Sequence, residues 1–369
     1  RLDRPGAVGH PAPGDPGVTG DRPAADHPAF RLRTEDAAWD AFVAAASRGA
    51  YAQQTAGAEV KAANGWTPER VVVDGPGGPI GAQVLVHRLG PSPWAMGYAP
   101  RGPLAMRFGA GDVTAWTDAL RACAGRLRLS HVVIDPAVPA GDPLEGWLGA
   151  NGWRRTAPVQ PSRTRLIDLT RSEDALWGDL RGKWRQYVTK ARREGVTVVE
   201  TGSEGLDDFF AIYVETARRA GFVHRTQAAY AATYAVFARH GAARLLFAED
   251  AAGRRQATLL LLGCGATAIE PYGGMTAAGA SSRANYLLKW EAIRSSRERG
   301  FTTYDLWGLA HPGIEQFKAG FGGHEVTWIG AWELVTRPVV QGLVTVAQRA
   351  RVALATRRLG RPAPGGDAG

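Results

Sequence analysis

The sequence predicts an α+β fold made of two similar halves. Each half shows three strand-like segments, a helix and then a further buried strand. The third strand precedes the fourth by 37 residues in the first half (positions 94 and 131) and by 35 in the second (positions 267 and 302). Both fourth strands carry an aspartate near their end, Asp135 and Asp305. Successive strands favour antiparallel pairing and a strand–helix–strand crossover favours parallel pairing, so each half is expected to form a mixed sheet.

The first half begins with a helix signal. Thr34 is a good N-cap and is followed by two acids, and an apolar stripe then starts at Trp39. The remaining elements predicted in this half are strands at Arg70–Asp74, Ile80–Arg88, Trp94–Ala99, His131–Asp135 and Arg163–Leu169, and helices at 111–128 and Leu144–Ala150.

The second half opens with helices and then repeats the order. Its predicted helices are Glu173–Glu194, 204–220, 226–240, 282–299 and 313–319, and its strands are Arg244–Glu249, Ala257–Leu262, Thr267–Tyr272, Thr302–Leu306 and Glu325–Val335. This is the element order of GNAT-type acyltransferases. We therefore divide the chain into a disordered Pro/Gly-rich leader (1–29), two tandem GNAT-like domains (30–170 and 171–336), and a basic amphipathic helix with a tail (337–369).

Composition narrows the classes of function. The 369 residues carry a net charge of +9 with a pI near 9.9, which favours an anionic partner. Two cysteines, Cys123 and Cys264, exclude a disulfide scaffold and a cysteine zinc site, and suit a reducing cytosol. The sequence contains no P-loop, no HExxH and no GxSxG motif.

The helix predicted at Glu173–Glu194 is strongly basic. Residues 181–193 hold six cations and no acid, with Trp184 and Tyr187 among them. Aromatic rings between cations can stack on bases while the cations bind phosphates. The helix is therefore either a binding face for tRNA, nucleotide or pyrophosphate lipid, or a solvated surface.

A second segment surrounds one lysine. Tyr304–Gly308 ends a strand, and the short helix after it presents Lys318 amid two phenylalanines and several glycines. Only five of the 44 basic residues are lysine, so each retained lysine is of interest. The alternative is that Lys318 only complements the dipole at the end of its helix.

Several segments, taken in order, resemble the FemABX family of aminoacyl-tRNA-dependent peptidyltransferases, which build interpeptide bridges on peptidoglycan precursors. They are QQTAGAEVKAANGW, YAPRGP, VVIDPAVP, GKWRQYVTKARREGV, GFVHRTQAAY, EPYGG, YDLWG and GIEQFKAGFGG. The resemblance covers roughly residues 35–336. It implies two GNAT-like domains, in agreement with the repeat.

The resemblance also implies a site. Lys318 would neutralise the oxyanion or the terminal phosphate of the tRNA, and Asp135 would receive the proton of the acceptor amine, whereas Asp305 would be structural. The side chains implied to bind the precursor's phosphates and muramyl peptide are Lys61, Arg225, Tyr230 and Tyr272. Lys183 and Arg185 would face tRNA or lipid pyrophosphate.

The implied reaction needs no cofactor, no metal and no covalent enzyme intermediate. The resemblance implies a cytoplasmic monomer that uses aminoacyl-tRNA and a lipid-linked or UDP-linked muramyl peptide. The basic C-terminal helix could then contact the inner membrane face.

Three alternatives stay open. The first is an acyl-CoA N-acetyltransferase, although the segment at 279–284 lacks the pyrophosphate-binding pattern [RQ]xxGx[GA]. The second is a tRNA-dependent ligase that makes a peptide natural product. The third is a non-catalytic protein that binds tRNA or lipid.

Overall fold

The computed structural model describes residues 35–47, 49–309 and 312–346. The predicted leader, the predicted N-cap Thr34 and the tail beyond residue 346 lie outside these ranges. The first helix begins at Asp36, as the apolar stripe predicts.

The helices are α1 (Asp36–Ala45), α2 (Thr55–Ala62), α3 (Ala110–Arg126), α4 (Leu144–Ala150), α5 (Glu173–Asp179), α6 (Gly182–Arg193), α7 (Leu206–Ala220), α8 (Gln227–Arg239), α9 (Ala277–Ser281), α10 (Ala284–Glu298) and α11 (Pro312–Ala319), with 3₁₀ helices at Tyr51–Gln53 and Ser203–Gly205. The strands are β1 (Trp66–Gly75), β2 (Gly78–Arg88), β3 (Ala95–Ala99), β4 (Leu104–Ala105), β5 (Leu129–Ile134), β6 (Arg154–Arg155), β7 (Arg163–Asp168), β8 (Thr197–Thr201), β9 (Ala243–Glu249), β10 (Arg255–Cys264), β11 (Thr267–Met275), β12 (Thr303–Asp305), β13 (His324–Thr327) and β14 (Trp332–Val335).

The strands form two mixed sheets. Sheet 1 has the order β1-β2-β3-β5-β14-β6, with β4 beside β2, and sheet 2 has the order β13-β7-β12-β11-β10-β9-β8. Each sheet contains one parallel pair, β3 with β5 and β11 with β12, at the crossover where the sequence predicts it. The α+β fold with two GNAT-like sheets is therefore confirmed.

The two halves exchange strands. β7, which the sequence assigns to the first domain, pairs with β12 and β13 in sheet 2. The single strand predicted at Glu325–Val335 is instead two: β13 pairs in sheet 2, whereas β14 pairs with β5 in sheet 1. Gly330 lies between them with a positive φ of 80°, a backbone conformation that glycine adopts without strain. The predicted domain limits, 30–170 and 171–336, stay a prediction, but these strands cross them.

Sheet 2 is covered on both faces. One face packs against α6 and α10 through a cluster that includes Val188, Leu259 and Trp290. The other packs against α7 and α8 through a cluster that includes Phe209 and Leu260. α7 shows why these helices form where they do: two acids lie in its first turn, two arginines in its last, and Gly221 ends it at a φ of 73°.

The long basic helix is the main helical correction. The sequence predicts one helix over Glu173–Glu194, but the chain bends at Leu180 and Arg181, which have extended ψ angles of 135° and 137°. Leu180 is buried in the core at this bend. A buried apolar residue holds the bend, and the periodicity of the sequence does not reveal it.

Residues 338–346 are helical and continue from β14. Val339, Leu343 and Val346 leave 79%, 68% and 65% of their surface exposed there. This described part agrees with the predicted amphipathic helix. In the part of the chain that the structure covers, no helix combines the length and apolarity needed to span a bilayer.

Candidate functional site

The parallel pair of sheet 2 splits at the end of β12. Ile269 is paired with Asp305, where β12 ends, but β11 continues to Met275 beside β10. Lys318 lies at this split, since its Nζ donates to the carbonyl oxygens of Trp307 (3.0 Å) and Gly308 (2.8 Å).

Lys318 lies beside a buried charged network. Lys289 and Glu270 form an ion pair in which each residue is less than a tenth exposed, and the hydroxyl of Tyr304 donates to Glu270 at 2.8 Å. Burial lowers the pKa of Lys318 to about 8, even though Glu270 acts in the opposite direction. An ammonium with such a pKa is readily titrated near neutral pH, unlike an exposed lysine.

A groove between the two halves brings two cations together. Lys61 in α2 and Arg225 before α8 line one cavity of about 200 Å³, together with Tyr51, Tyr272 and Trp307. Burial, and then the Arg225 guanidinium, lower the pKa of Lys61. Within the described residues, neither side chain has a hydrogen-bond or ion-pair partner. Two adjacent cations without a counter-ion favour the binding of an anion.

Tyr230 does not line this cavity but contacts residues that do. Its side chain is buried, and its hydroxyl accepts a hydrogen bond of 3.1 Å from the backbone nitrogen of Arg225. Its ring packs edge-on against Tyr272 at 5.1 Å. The structure thus brings together Lys61, Arg225, Tyr230 and Tyr272, with Tyr230 placed to position Arg225.

A second cavity, of about 90 Å³, shares Tyr51 and Trp307 with the first. Arg101 and Asp305 also line it, and they are 5% and 8% exposed. The Arg101 guanidinium lies 5.2 Å from the ring centre of Trp307, and its Nη2 donates to the carbonyl of Pro161 at 2.9 Å. Burial raises the pKa of Asp305.

Asp135, the predicted proton acceptor, is buried at the end of β5. It is 3% exposed and lines neither cavity. Its carboxylate accepts hydrogen bonds from the Tyr98 hydroxyl (2.8 Å) and from the backbone nitrogen of Arg101 (2.6 Å). Neither Lys318 nor Asp135 lines either cavity, and the catalytic role predicted for Asp135 stays a prediction.

The basic helix α6 divides into structural and exposed parts. Trp184 does not offer its ring to a ligand in this structure, because the ring is buried and its Nε1 donates to the carbonyl of Phe317 at 3.0 Å. Arg185 Nη1 donates to the carbonyls that end α5, at 2.8 Å for Gly178 and 2.5 Å for Leu180. Arg185 therefore caps a helix instead of facing solvent.

Lys183 stays exposed on the same helix. Its Nζ lies 5.7 Å from the ring centre of Tyr187, and the Arg283 guanidinium lies 4.5 Å from that ring. These three side chains form a cationic aromatic surface at the start of α10, on the side of sheet 2 opposite the groove.

Comparisons with known proteins agree with this architecture. Residues 178–319 match the family model described as acetyltransferase (GNAT) domain. The lipid II:glycine glycyltransferase of Staphylococcus aureus is 28% identical over 198 residues, which are 50% of this chain and 47% of that protein. The chain thus spans about half the length of the curated relatives that it matches.

Solved structures extend the likeness to both halves. The crystal structure of FemX superposes with a TM-score of 0.78 at 20% identity, over 85% of this chain and 99% of that one. A protein of unknown function from Bacteroides thetaiotaomicron superposes with a TM-score of 0.56 at 11% identity, over 82% and 98%. These likenesses show the fold, an arrangement of two GNAT-like domains in tandem.

Three residues of the groove are missing from the predicted site: Tyr51, Arg101 and Trp307. Two of them lie in the segments that carry the family resemblance, YAPRGP and YDLWG. Their backbone conformation is the stronger signal, because Arg101 and Trp307 are non-glycine residues with φ of 59° and 57°. Such strain gathers at functional sites, but it is visible only in a structure.

Proposed function

We propose that the protein transfers an amino acid from aminoacyl-tRNA to the stem-peptide amine of a muramyl-peptide precursor. The observation that carries the proposal is the pairing of Lys61 and Arg225, from different halves, in one groove without a counter-ion. The pyrophosphate of a UDP-linked or lipid-linked precursor is an anion that would bind between Lys61 and Arg225. The name of the staphylococcal relative, a lipid II:glycine glycyltransferase, supports an acceptor of this class.

The donor is assigned to the opposite face of sheet 2. Lys183, Tyr187 and Arg283 offer two cations and a ring, the combination that holds single-stranded nucleic acid through its phosphates and bases. A tRNA end bound there would present its ester at the split between β11 and β12.

Lys318 is the group that acts on the reaction. Attack of an amine on an ester creates a tetrahedral oxyanion, and a fixed donor stabilises such a species by about 2.7–4 kcal/mol. The Lys318 ammonium is placed for this task, because its half-buried position at the split shields it from water.

The experiment supplies charged total tRNA with the UDP-linked or the lipid-linked precursor, and measures the mass of the muramyl product. The expected result is a gain of one or more amino-acid residues that requires both charged tRNA and precursor. Lys61→Met should reduce the yield, whereas Lys190→Met, at an exposed lysine paired with Glu194 at 3.6 Å, is the matched control.

Parallel reactions separate the other candidates. Acetylation of an amine by acetyl-CoA, without tRNA, would replace the proposal with an N-acetyltransferase. Transfer from charged tRNA to free amino acids, but to neither precursor, would favour a ligase for a peptide natural product. Binding of tRNA without any transfer would indicate the third alternative, a non-catalytic binding protein.

The proposal places the protein in the cytoplasm as a monomer, with the helix that begins at residue 338 against the inner membrane face. The exposed Val339, Leu343 and Val346 support this contact. Sedimentation of the protein with anionic vesicles, compared with a Leu343→Glu variant, tests it.

A further inference from the structure

Among the described residues, Asp305 in the second cavity is the only acid that lines either cavity. Asp305 follows Thr303 on β12, and their neighbours in register on β11 are Ile269 and Thr267. Alternate residues of a strand point to one face of the sheet. All four of these residues line the cavity, so this face of sheet 2 points into the groove between the halves.

The Asp305 carboxylate is held by one of its two oxygens. Oδ1 accepts from Thr164 Oγ1 and from the backbone nitrogen of Trp307 at 2.7 Å. In the described residues, no hydrogen bond or ion pair engages Oδ2. A carboxylate fixed through one oxygen keeps its other oxygen for a ligand proton.

We propose that this cavity binds the amine end of the acceptor and that Asp305, through Oδ2, takes the proton that the amine must lose. The inference rests on the proposed function and assigns the acceptor's position within the groove. Phosphates held by Lys61 and Arg225 would lie in the first cavity, and the amine would reach past Tyr51 and Trp307, which line both cavities.

The Asp305 carboxylate is the feature of the cavity that suits an ammonium group. Tyr51, Trp307 and Trp328 also line the cavity, but the Arg101 guanidinium already lies 5.2 Å and 5.9 Å from the ring centres of Trp307 and Trp328. The charged and titratable groups that face Asp305 are Arg101, Lys318 and Tyr51. Arg101 and Lys318 favour the ionised carboxylate, whereas burial favours its protonation, so Asp305 can both hold a charge and accept a proton.

One proton passes from the acceptor ammonium to Asp305 Oδ2, and the freed amine nitrogen attacks the ester carbonyl carbon. The carbon–nitrogen bond forms and the bond to the ribose oxygen breaks. That oxygen takes the second proton from the nitrogen, which leaves an amide and a free hydroxyl, and Asp305 later releases its proton to water.

Asp135 provides the matched comparison. It occupies the equivalent place in sheet 1, after the strand of the parallel pair, but both of its oxygens accept hydrogen bonds and it lines neither cavity. Asp135→Asn and Asp305→Asn are therefore the same chemical change at two buried aspartates, of which only one faces the groove.

The test measures transfer from charged tRNA for the wild type and both variants between pH 6 and 9. We expect Asp305→Asn to lower kcat by about 10²-fold or more at pH 7, the usual contribution of a general base. The deficit relative to wild type should shrink as pH rises and the free amine becomes abundant. Because the Asp305 charge raises the pKa of Lys318, the comparison is repeated in the Lys318→Arg background, whose guanidinium stays charged over this range. A deficit no larger than that of Asp135→Asn, or one that does not change with pH, would overturn the proposal.

A second variant covers the case in which Asp305→Asn does not fold. Ala137 also lines the cavity, and Ala137→Leu fills space while leaving the Asp305 carboxylate intact. It should raise KM for the precursor without changing affinity for charged tRNA, and an unchanged KM would contradict the assignment.

A binding measurement separates this inference from the proposed function. Calorimetric titration with Nα-acetyl-lysine, whose side-chain amine is free, should show binding to wild type that is lost in Asp305→Asn or Ala137→Leu. If the wild type binds the Nα,Nε-diacetyl form equally well, or binds neither form of lysine, the inference is contradicted even if transfer occurs. If the wild type transfers nothing, the proposed function fails, and the titration still decides whether the cavity binds amines.

Discussion

The Arg101 guanidinium lies over the Trp307 ring, 5.2 Å from its centre, and joins the first half of the molecule to the second. Each of these residues has a left-handed backbone, and each donates its backbone N–H to a buried aspartate: Arg101 to Asp135 at 2.6 Å and Trp307 to Asp305 at 2.7 Å. A left-handed non-glycine residue costs about 1–2 kcal/mol. The hydrogen bonds to the two aspartates offset part of this strain, and Trp307 lines both cavities.

The pH dependence of transfer should report on Lys318. Its pKa is lowered to about 8, so its ammonium form is lost as pH rises through 8, and oxyanion stabilisation is lost with it. We expect kcat to fall above pH 8, and the fall to move to higher pH in Lys318→Arg, whose guanidinium stays charged. An unchanged alkaline limb in Lys318→Arg would show that another group titrates.

The paired cations of the groove should govern precursor binding. Lys61→Met and Arg225→Met should each raise KM for the precursor about tenfold or more, because a charge-assisted hydrogen bond contributes about 1.5–3 kcal/mol. The effect should weaken as salt rises. Steady-state kinetics at two ionic strengths measure this, with Lys190→Met as the control. A normal KM in the Lys61→Met, Arg225→Met double variant would place the phosphates elsewhere.

Lys183 and Arg185 are two residues apart, but their substitutions should act differently. Lys183 is exposed, so Lys183→Ala should weaken tRNA binding and leave the melting temperature unchanged. Arg185 caps the end of α5, so Arg185→Ala should lower the melting temperature. Filter binding and thermal unfolding of both variants test the pair, and the reverse pattern would refute the division of α6.

Gly320 should be essential for the position of Lys318. A Cβ at Gly320 would overlap the buried Trp184 indole, which is fixed by its bond to Phe317. Gly320→Ala should therefore destabilise the protein by about 1–3 kcal/mol, as overpacking usually does, and should slow transfer. Gly125→Ala in α3, where a Cβ meets nothing within 4 Å, is the control and should be neutral or stabilising. Similar unfolding free energies for both variants would contradict this packing argument.

Sequence patterns predicted the mixed sheets because the strand order and the crossover spacing are local features. They could not predict that β7 and β14 join the sheet of the other half, since a strand carries no mark of its distant partner. The sequence does not predict α2, the helix that carries Lys61, because Thr55–Ala62 is rich in alanine and lacks an apolar stripe.

The roles of the two aspartates show the same limit. Asp135 follows β5 and Asp305 ends β12, so the strand patterns alone do not distinguish them, and the sequence prediction placed Asp135 first only through the family resemblance. Only the hydrogen bonds seen in the structure distinguish the two aspartates. The Tyr98 hydroxyl and the Arg101 backbone N–H, which lie outside β5, donate to the two oxygens of Asp135. Lys61, Arg225 and Tyr272 lie far apart in sequence, and their convergence in one cavity was expected only through the family resemblance.

The most direct test of the central claim is the single-turnover rate of transfer from charged tRNA to the precursor, measured by rapid quench for wild type and Lys318→Ala at pH 7. We predict a rate at least about 10²-fold lower in the variant, as expected for loss of an oxyanion donor, with the dissociation constants of tRNA and precursor little changed. A variant rate within a few-fold of wild type would contradict the role of Lys318 and, with it, the placement of the reaction at the split between β11 and β12.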